Sequence, residues 1–335
     1  MESIRYGIIG VGHLGEIHTR LAAGIHSINL AGVYDTDEKR SASIADKYGT
    51  KAYRNLEELL QEVDAVSIVV PTEHHLSNTR KAIENDCHVF IEKPIAENSS
   101  QGEEIVSLAR DMGKKIQVGH IERFNPAFLA LQGQDIAPLF IESHRLSQFN
   151  PRGTDVSVIL DLMIHDIDIV LSLIDSPVKT IDACGVNVVS ESEDIANVRI
   201  RFENDSVVNM TSSRISAKDM RKMRLFQKNA YVSLDFLDRN TEIFKLKQED
   251  NNGDEEAEGH IQSLGCIGVG DKTKEVLLES PECQEINSLE LEIREFAEAI
   301  LEDRPTAVSG SQGLRALQVA EIILGQIRHP NLQLT

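Results

Sequence analysis

Short apolar runs rich in β-branched residues alternate with longer stretches of helical periodicity through the first 120 residues. The runs at 4–9, 29–34, 65–70, 88–91 and 115–118 predict buried strands, and 13–23, 38–48, 56–61, 75–85 and 100–112 predict helices between them. Strands and helices in that alternation predict an α/β domain, a doubly wound parallel sheet of Rossmann type with helices on both faces. After Arg123 the rhythm changes. A helical piece ends near Gln132, a strand covers 139–148, and one apolar helix covers 158–174. Runs rich in Val, Ile, Phe and Thr follow at 178–190, 195–202, 206–215, 223–227 and 230–236. So many strands with so few helices between them predict an α+β domain built on a large, mostly antiparallel open sheet, whose free face suits a second subunit. Helices over 288–301 and 313–327 close the chain and are expected to pack back against the first domain. The division predicted is 1–123 for the Rossmann domain and 124–335 for a substrate-binding and oligomerisation domain.

Composition changes this picture in three respects. Thirty-four Lys and Arg against 54 Asp and Glu give a net charge of −20 over 335 residues. That balance disfavours nucleic-acid and anionic-membrane partners, which need clustered cations to displace counterions. The 4 cysteines, at 87, 184, 266 and 283, form no C-x-x-C pair, so they predict free buried thiols rather than a zinc or redox site, and no other cluster predicts a metal. The N-terminus lacks the layout of a signal peptide and no apolar run approaches the ~20 residues of a membrane span, so the expected location is the cytoplasm. The segment 248–259, with six acidic residues and two glycines, reads as a solvated loop.

The first strand ends in Gly10-Val11-Gly12-His13-Leu14-Gly15. Gly10 permits a tight turn, Gly12 lets backbone approach a pyrophosphate, and Gly15 lets the helix pack on the strand. The helix start, with His13 and Leu14, supplies the positive end of a dipole. Asp35, twenty residues after Gly15, stands where a carboxylate accepts the ribose hydroxyls and repels a 2′-phosphate, so the pattern predicts NAD, with Lys39 and Arg40 nearby. Lys93 lies at the C-terminal end of a predicted strand, where open α/β sheets present ligand groups and where partial burial makes a lysine usable as an acid or base. On the apolar helix, Asp161, His165, Asp168 and Ser172 recur at helical spacing and predict one polar stripe facing a cavity or a hydrogen-bond network. Between Arg214 and Arg224, five cations against Asp219 give a local charge of +4, suited to a phosphate or, equally, to a solvated loop.

Val69-Val70-Pro71-Thr72-Glu73-His74-His75, with its P-x-x-x-H spacing, and Glu92-Lys93-Pro94 resemble the Gfo/Idh/MocA oxidoreductases. The likeness extends to Gly119-His120, Arg123 to Pro126, and the Asp161 and His165 pair, over nearly the whole chain. It implies that Pro71, Thr72, His75, Glu92, Lys93 and Arg40 help hold the dinucleotide. It further implies that Lys93 and His165, with Asp161, move the proton of a substrate hydroxyl, and that Pro94 follows a cis bond. His120, Arg123, Arg152, His165 and Arg221 are the implied substrate contacts. The segments around 119–127, 152–155 and 162–168 resemble members that oxidise the 3-hydroxyl of UDP-N-acetylglucosamine-type sugars in envelope glycan or lipid A precursor synthesis. A free-sugar or inositol dehydrogenase shares the same catalytic set. A catalytically silent NAD-sensing regulator is the alternative of another class, and retention of Lys93, Asp161 and His165 argues against it. The resemblance implies a homodimer or homotetramer formed through the C-terminal sheet.

Overall fold

The computed structural model describes residues 3–151, 156–247, 259–268 and 273–329. The chain forms two compact units, Met1–Phe124 with Asn287–Glu321, and Asn125–Ile286 with Ile322–Thr335. Residues 287–321 therefore belong to the first unit, not to the second as the division at 123 places them. The reason is an apolar face that sequence order hides: Leu289, Ile293, Phe296 and Ala297 are buried among Tyr6, Ile8, Leu21 and Phe90.

In the first unit, β1 (Ile4–Ile9), α1 (His13–Ala22), β2 (Ile28–Tyr34), α2 (Glu38–Tyr48), β3 (Ala52–Tyr53), α3 (Leu56–Leu60), β4 (Ala65–Ile68), α4 (His75–Glu84), β5 (His88–Glu92), α5 (Ser99–Asp111) and β6 (Ile116–Gly119) follow in order. The six strands lie in the order β3-β2-β1-β4-β5-β6, all parallel, with the reversal of winding at β1 and β4. Ala65, Val66, Ser67 and Ile68 of β4 are all buried, which explains why a central strand reads as a continuous apolar run. Local chemistry sets the helix ends. The Asp37 carboxylate accepts from the backbone N–H groups of Lys39 and Arg40 at the start of α2, and Gly49 closes it in the left-handed region at φ 68°.

The second unit carries α6 (Pro126–Leu129), β7 (Phe140–Leu146), a π-helical turn at Ile159–Met163, α7 (Ile164–Leu173), β8 (Val178–Val186), β9 (Ile195–Phe202), β10 (Val207–Ser213), β11 (Met220–Gln227), β12 (Ala230–Asp235), β13 (Asn240–Leu246), β14 (Gly259–Ile267) and β15 (Lys274–Pro281). These nine strands form one sheet, β14-β15-β13-β12-β11-β7-β10-β9-β8, antiparallel except for the β7 and β10 pair. On one face Ile141, Val198, Ile200, Val208, Met210, Met223, Leu225, Val232 and Leu234 are buried. The chain closes with α8 (Ser288–Leu301) and α9 (Gly310–Arg328). The expectation of buried thiols holds for Cys87 alone, since Cys184 and Cys266 are exposed and Cys283 is half-buried; all are free. Burial raises the Cys87 thiol to about 11. The acidic 248–258 segment and Arg152 lie outside the described residues. Among the described residues no helix is long and apolar enough to cross a membrane, and no group of three or more His, Cys, Asp or Glu is placed to hold a metal.

Candidate functional site

The strand, turn and helix of the glycine motif fold as their residue types require. Gly10 sits at φ +86°, and a Cβ there would meet the Val69 carbonyl oxygen at 2.4 Å. A Cβ at Gly15 would lie 1.9 Å from the Gly10 carbonyl oxygen, so only glycine lets α1 start this close to β1. Nothing stands within 4 Å of the corresponding position at Gly12. Gly12 also caps α1 without any side-chain hydrogen bond, so the cap itself brings no side-chain acceptor to the first N–H groups of the helix. Backbone donors, a helix N-terminus and an unfilled approach fit a pyrophosphate.

These groups open on a cleft of about 610 Å³ in the first unit, lined among others by Gly10, Gly12, Asp35, Arg40, Val70 and Pro71. Thr36, His74, Asn78 and Lys81 also line it. None of those four was singled out in the sequence, because each is an ordinary polar residue of a turn or a helix face. The Asp35 Oδ2 accepts from Val11 N at 2.8 Å and its Oδ1 from Asp37 N at 2.9 Å, which fixes the carboxylate at the end of β2 with acceptor capacity left over. Arg40 lies 3.7 Å from Asp35 and 3.5 Å from Asp37, between two carboxylates. Exchanging Asp35 for Ser and Thr36 for Arg should weaken NADH and strengthen NADPH, changing their affinity ratio by at least about tenfold, or 1.4 kcal/mol. Fluorescence titration of both cofactors measures it, and an unmoved ratio removes Asp35 as the selector.

Lys93 is half-buried directly after β5, and the Lys93-Pro94 bond is cis. Its neighbours are used differently from what the motif implies. His75 is 1% exposed, with Nδ1 at 2.9 Å from the Pro94 carbonyl oxygen and Nε2 at 3.0 Å from that of Val70. Each ring nitrogen lies beside a backbone carbonyl, and the single N–H of the neutral ring can donate to one of the two, so His75 is lodged between the Pro71 loop and the Lys93 turn. Burial pushes its imidazole below the ordinary histidine value, while the two carbonyls pull the other way. The Glu92 carboxylate faces inward onto His18 of α1 at 2.9 Å. Burial, the largest single effect, raises the Glu92 carboxyl, but the His18 contact, the Lys93 charge and the Lys93 N–H together outweigh it and hold Glu92 below the usual range. His120 is 1% exposed, and Arg123 is half-buried on the 3₁₀ turn at Ile121–Phe124.

In the second unit, the predicted straight helix with one polar stripe is two pieces. Ile164 N donates to the Ile159 carbonyl five residues back, which makes the turn carrying Asp161 a π turn, and α-helix resumes at Ile164. Asp161 and His165 are half-buried. Asp168 is buried, and the Ser172 hydroxyl donates to the Ile169 carbonyl at 2.7 Å, so the far end of the stripe is structural. Asp166, off the stripe, accepts from Nε and a terminal nitrogen of Arg145 at 3.0 and 2.7 Å in a buried pair that fixes α7 against β7.

The +4 run does not converge. Lys222 pairs with Asp235 at 2.9 Å and Arg224 with Glu142 at 3.2 Å. Arg214 is buried, donates to the Val156 carbonyl and lies 3.9 Å from Asp194. Arg221 is exposed, opposite Arg145 across the β11 and β7 ladder.

Residues 4–120 match the family described as oxidoreductase family, NAD-binding Rossmann fold, and residues 148–330 match its C-terminal alpha/beta domain. The chain belongs to the Gfo/Idh/MocA oxidoreductases, a family of enzymes, and its cofactor is NAD. It is 34% identical to the UDP-N-acetylglucosamine 3-dehydrogenase of Acidithiobacillus ferrooxidans over 321 residues, 96% of each chain. A solved structure of the enzyme of that name from that organism superposes with a TM-score of 0.86 at 32% identity, covering 98% of both chains. The inositol 2-dehydrogenase of Rubrobacter xylanophilus is 28% identical over 56% of each chain.

Proposed function

We propose that this enzyme oxidises the 3-hydroxyl of a UDP-N-acetylglucosamine-type sugar, in the cytoplasm, with NAD as oxidant. The observation that carries the reading is similarity along the full length of both chains to the Acidithiobacillus dehydrogenase, against little more than half of each for the inositol enzyme. Bound NAD supplies the hydride acceptor, nicotinamide C4. The Gly10 to Gly15 loop and the start of α1 hold its pyrophosphate, and Asp35 orients the ribose. Lys93 takes the proton of the substrate hydroxyl as its carbon loses hydride, and His165, oriented by Asp161, shares that proton transfer. Arg123, Arg152 and Arg221 are assigned to the nucleotide diphosphate. The charge run as a whole no longer supports such a clamp, because Arg214, Lys222 and Arg224 have carboxylate or backbone partners.

A second copy of the chain is assigned to the face of the large sheet on which Phe140, Phe226, Tyr231 and Phe244 stack in a row, with ring centroids 5.5, 4.9 and 5.2 Å apart. Phe226 remains 37% exposed there. Light scattering that reports a monomer removes this assignment.

NADH formation from NAD with UDP-N-acetylglucosamine, myo-inositol and free hexoses decides the substrate, with a keto-trapping amine to pull an unfavourable equilibrium. Turnover of UDP-N-acetylglucosamine is the expected result. Turnover of myo-inositol without binding of any UDP ligand reassigns the enzyme to polyols, and NADH binding without turnover of any sugar moves it toward the sensing class.

A further inference from the structure

His18 is 0% exposed on the inner side of α1, five residues after the helix begins. Its Nε2 meets Glu92 Oε1 at 2.9 Å, its Nδ1 lies 3.3 Å from Ser67 Oγ, and that hydroxyl is 2.7 Å from the Tyr6 phenol. The Phe90 ring closes on the imidazole edge-to-face at 5.3 Å. A buried imidazole with a partner at each nitrogen and an aromatic wall has one orientation, so the contact to Glu92 is built into the core.

Glu92 is confined from its other side as well. A Cβ on Gly119, the residue paired with it across β5 and β6, would lie 2.9 Å from Glu92 Oε2, and the same oxygen faces the Lys93 N–H at 3.3 Å. The carboxylate is therefore clamped between α1 and β6, and the backbone that turns from Glu92 into Lys93 is clamped with it. Because the glycine loop runs directly into α1, one imidazole joins the helix that follows this loop to the turn that carries the lysine.

We propose that His18 is a positioning residue of the dehydrogenase reaction: through Glu92 it fixes the Lys93 turn relative to the helix that carries the dinucleotide loop. The proposal rests on the reading of Lys93 as the proton-transfer group. A displacement of about 1 Å in a reacting group costs on the order of 10²-fold in rate, whereas NAD affinity depends on the loop and not on the lysine's aim. His18 should consequently act on kcat and leave cofactor affinity nearly alone.

The test compares wild type, His18→Leu, His18→Gln and Lys93→Met with NAD and UDP-N-acetylglucosamine, or myo-inositol if the sugar panel selects it, beside NADH titrations of each variant. His18→Leu should lose about 10²-fold in kcat while its NADH dissociation constant stays within a few-fold of wild type. His18→Gln, whose amide N–H reaches the place of Nε2, should regain most of the loss. A wild-type kcat in His18→Leu with Lys93→Met inactive overturns the positioning role alone. Equal losses of kcat and NADH binding in the Leu and Gln variants also overturn it, because they mark a purely structural residue. Should His18→Leu fail to fold, the Gln variant together with Gly119→Ala, which pushes on Glu92 from the other side, decides: a wild-type kcat in Gly119→Ala counts against the clamp. A near-wild-type rate in Lys93→Met overturns the Lys93 reading and this inference together.

Discussion

Lys93→Met should turn over about 10² to 10⁴ times more slowly than wild type and still bind NADH, the loss typical of removing a general acid or base. Lys93 directly follows β5 and is not among the residues that line the cleft at Gly10, Gly12 and Asp35. Methionine keeps the length of the side chain and its contacts with the turn while deleting the only proton-carrying atom. The loss therefore falls on kcat, and steady-state kinetics beside NADH titration separates the two quantities. His165→Ala belongs to the same experiment as a related but separate loss, because a second group sharing the proton transfer leaves part of the rate behind. A Lys93→Met enzyme with an ordinary kcat would return the lysine to the role of a strand-end residue.

The second large effect comes from two glycines three residues apart that fail for opposite reasons. In Gly15→Ala the added methyl lies 1.9 Å from the Gly10 carbonyl oxygen, so α1 must move off β1. Overpacking of this kind costs about 1 to 3 kcal/mol or more, and thermal unfolding of the variant should begin several degrees lower. In Gly12→Ala the methyl meets no protein atom within 4 Å, so the fold should melt like wild type. The same methyl stands in the approach reserved for the pyrophosphate, and NADH binding should weaken by about tenfold or more. Melting curves and NADH titrations of the pair form the check. Normal NADH binding in Gly12→Ala would move the pyrophosphate away from this loop.

The first unit was legible because strands buried on both faces and amphipathic helices follow different periods, and because the glycine motif sits where one gives way to the other. The strands 240–246, 259–267 and 274–281 were not legible. Asn240 to Leu246 places Glu and Lys among its apolar residues, and the described part of β14 is exposed throughout, so neither carries the alternation that marks a half-buried strand. The positive patch failed for a related reason. Adjacent residues of a strand point to opposite faces, so Arg221 and Lys222 cannot act together even though the sequence sets them side by side. His18 was invisible because a single histidine on the apolar side of a helix looks like a core residue until its partner, 74 positions away, is placed beside it. The polar stripe on 158–174 was read at α-helical spacing, and nothing in its residue types announces a wider turn.

That wider turn has a consequence for how such enzymes can diverge. A π turn holds one residue more than an α-helical turn, and Ile159–Met163 places that extra residue in the first turn of the helix, directly before Ile164–Leu173. Deleting the codon of Leu162 or Met163 would leave an α-helical first turn, keep Ile164–Leu173 where Arg145 pins it, and move Asp161 by about 100° around the axis. A lineage can thus change which side chain stands one turn before His165 in one genetic step, with the buried Arg145–Asp166 pair preserving the rest of the helix while it does so.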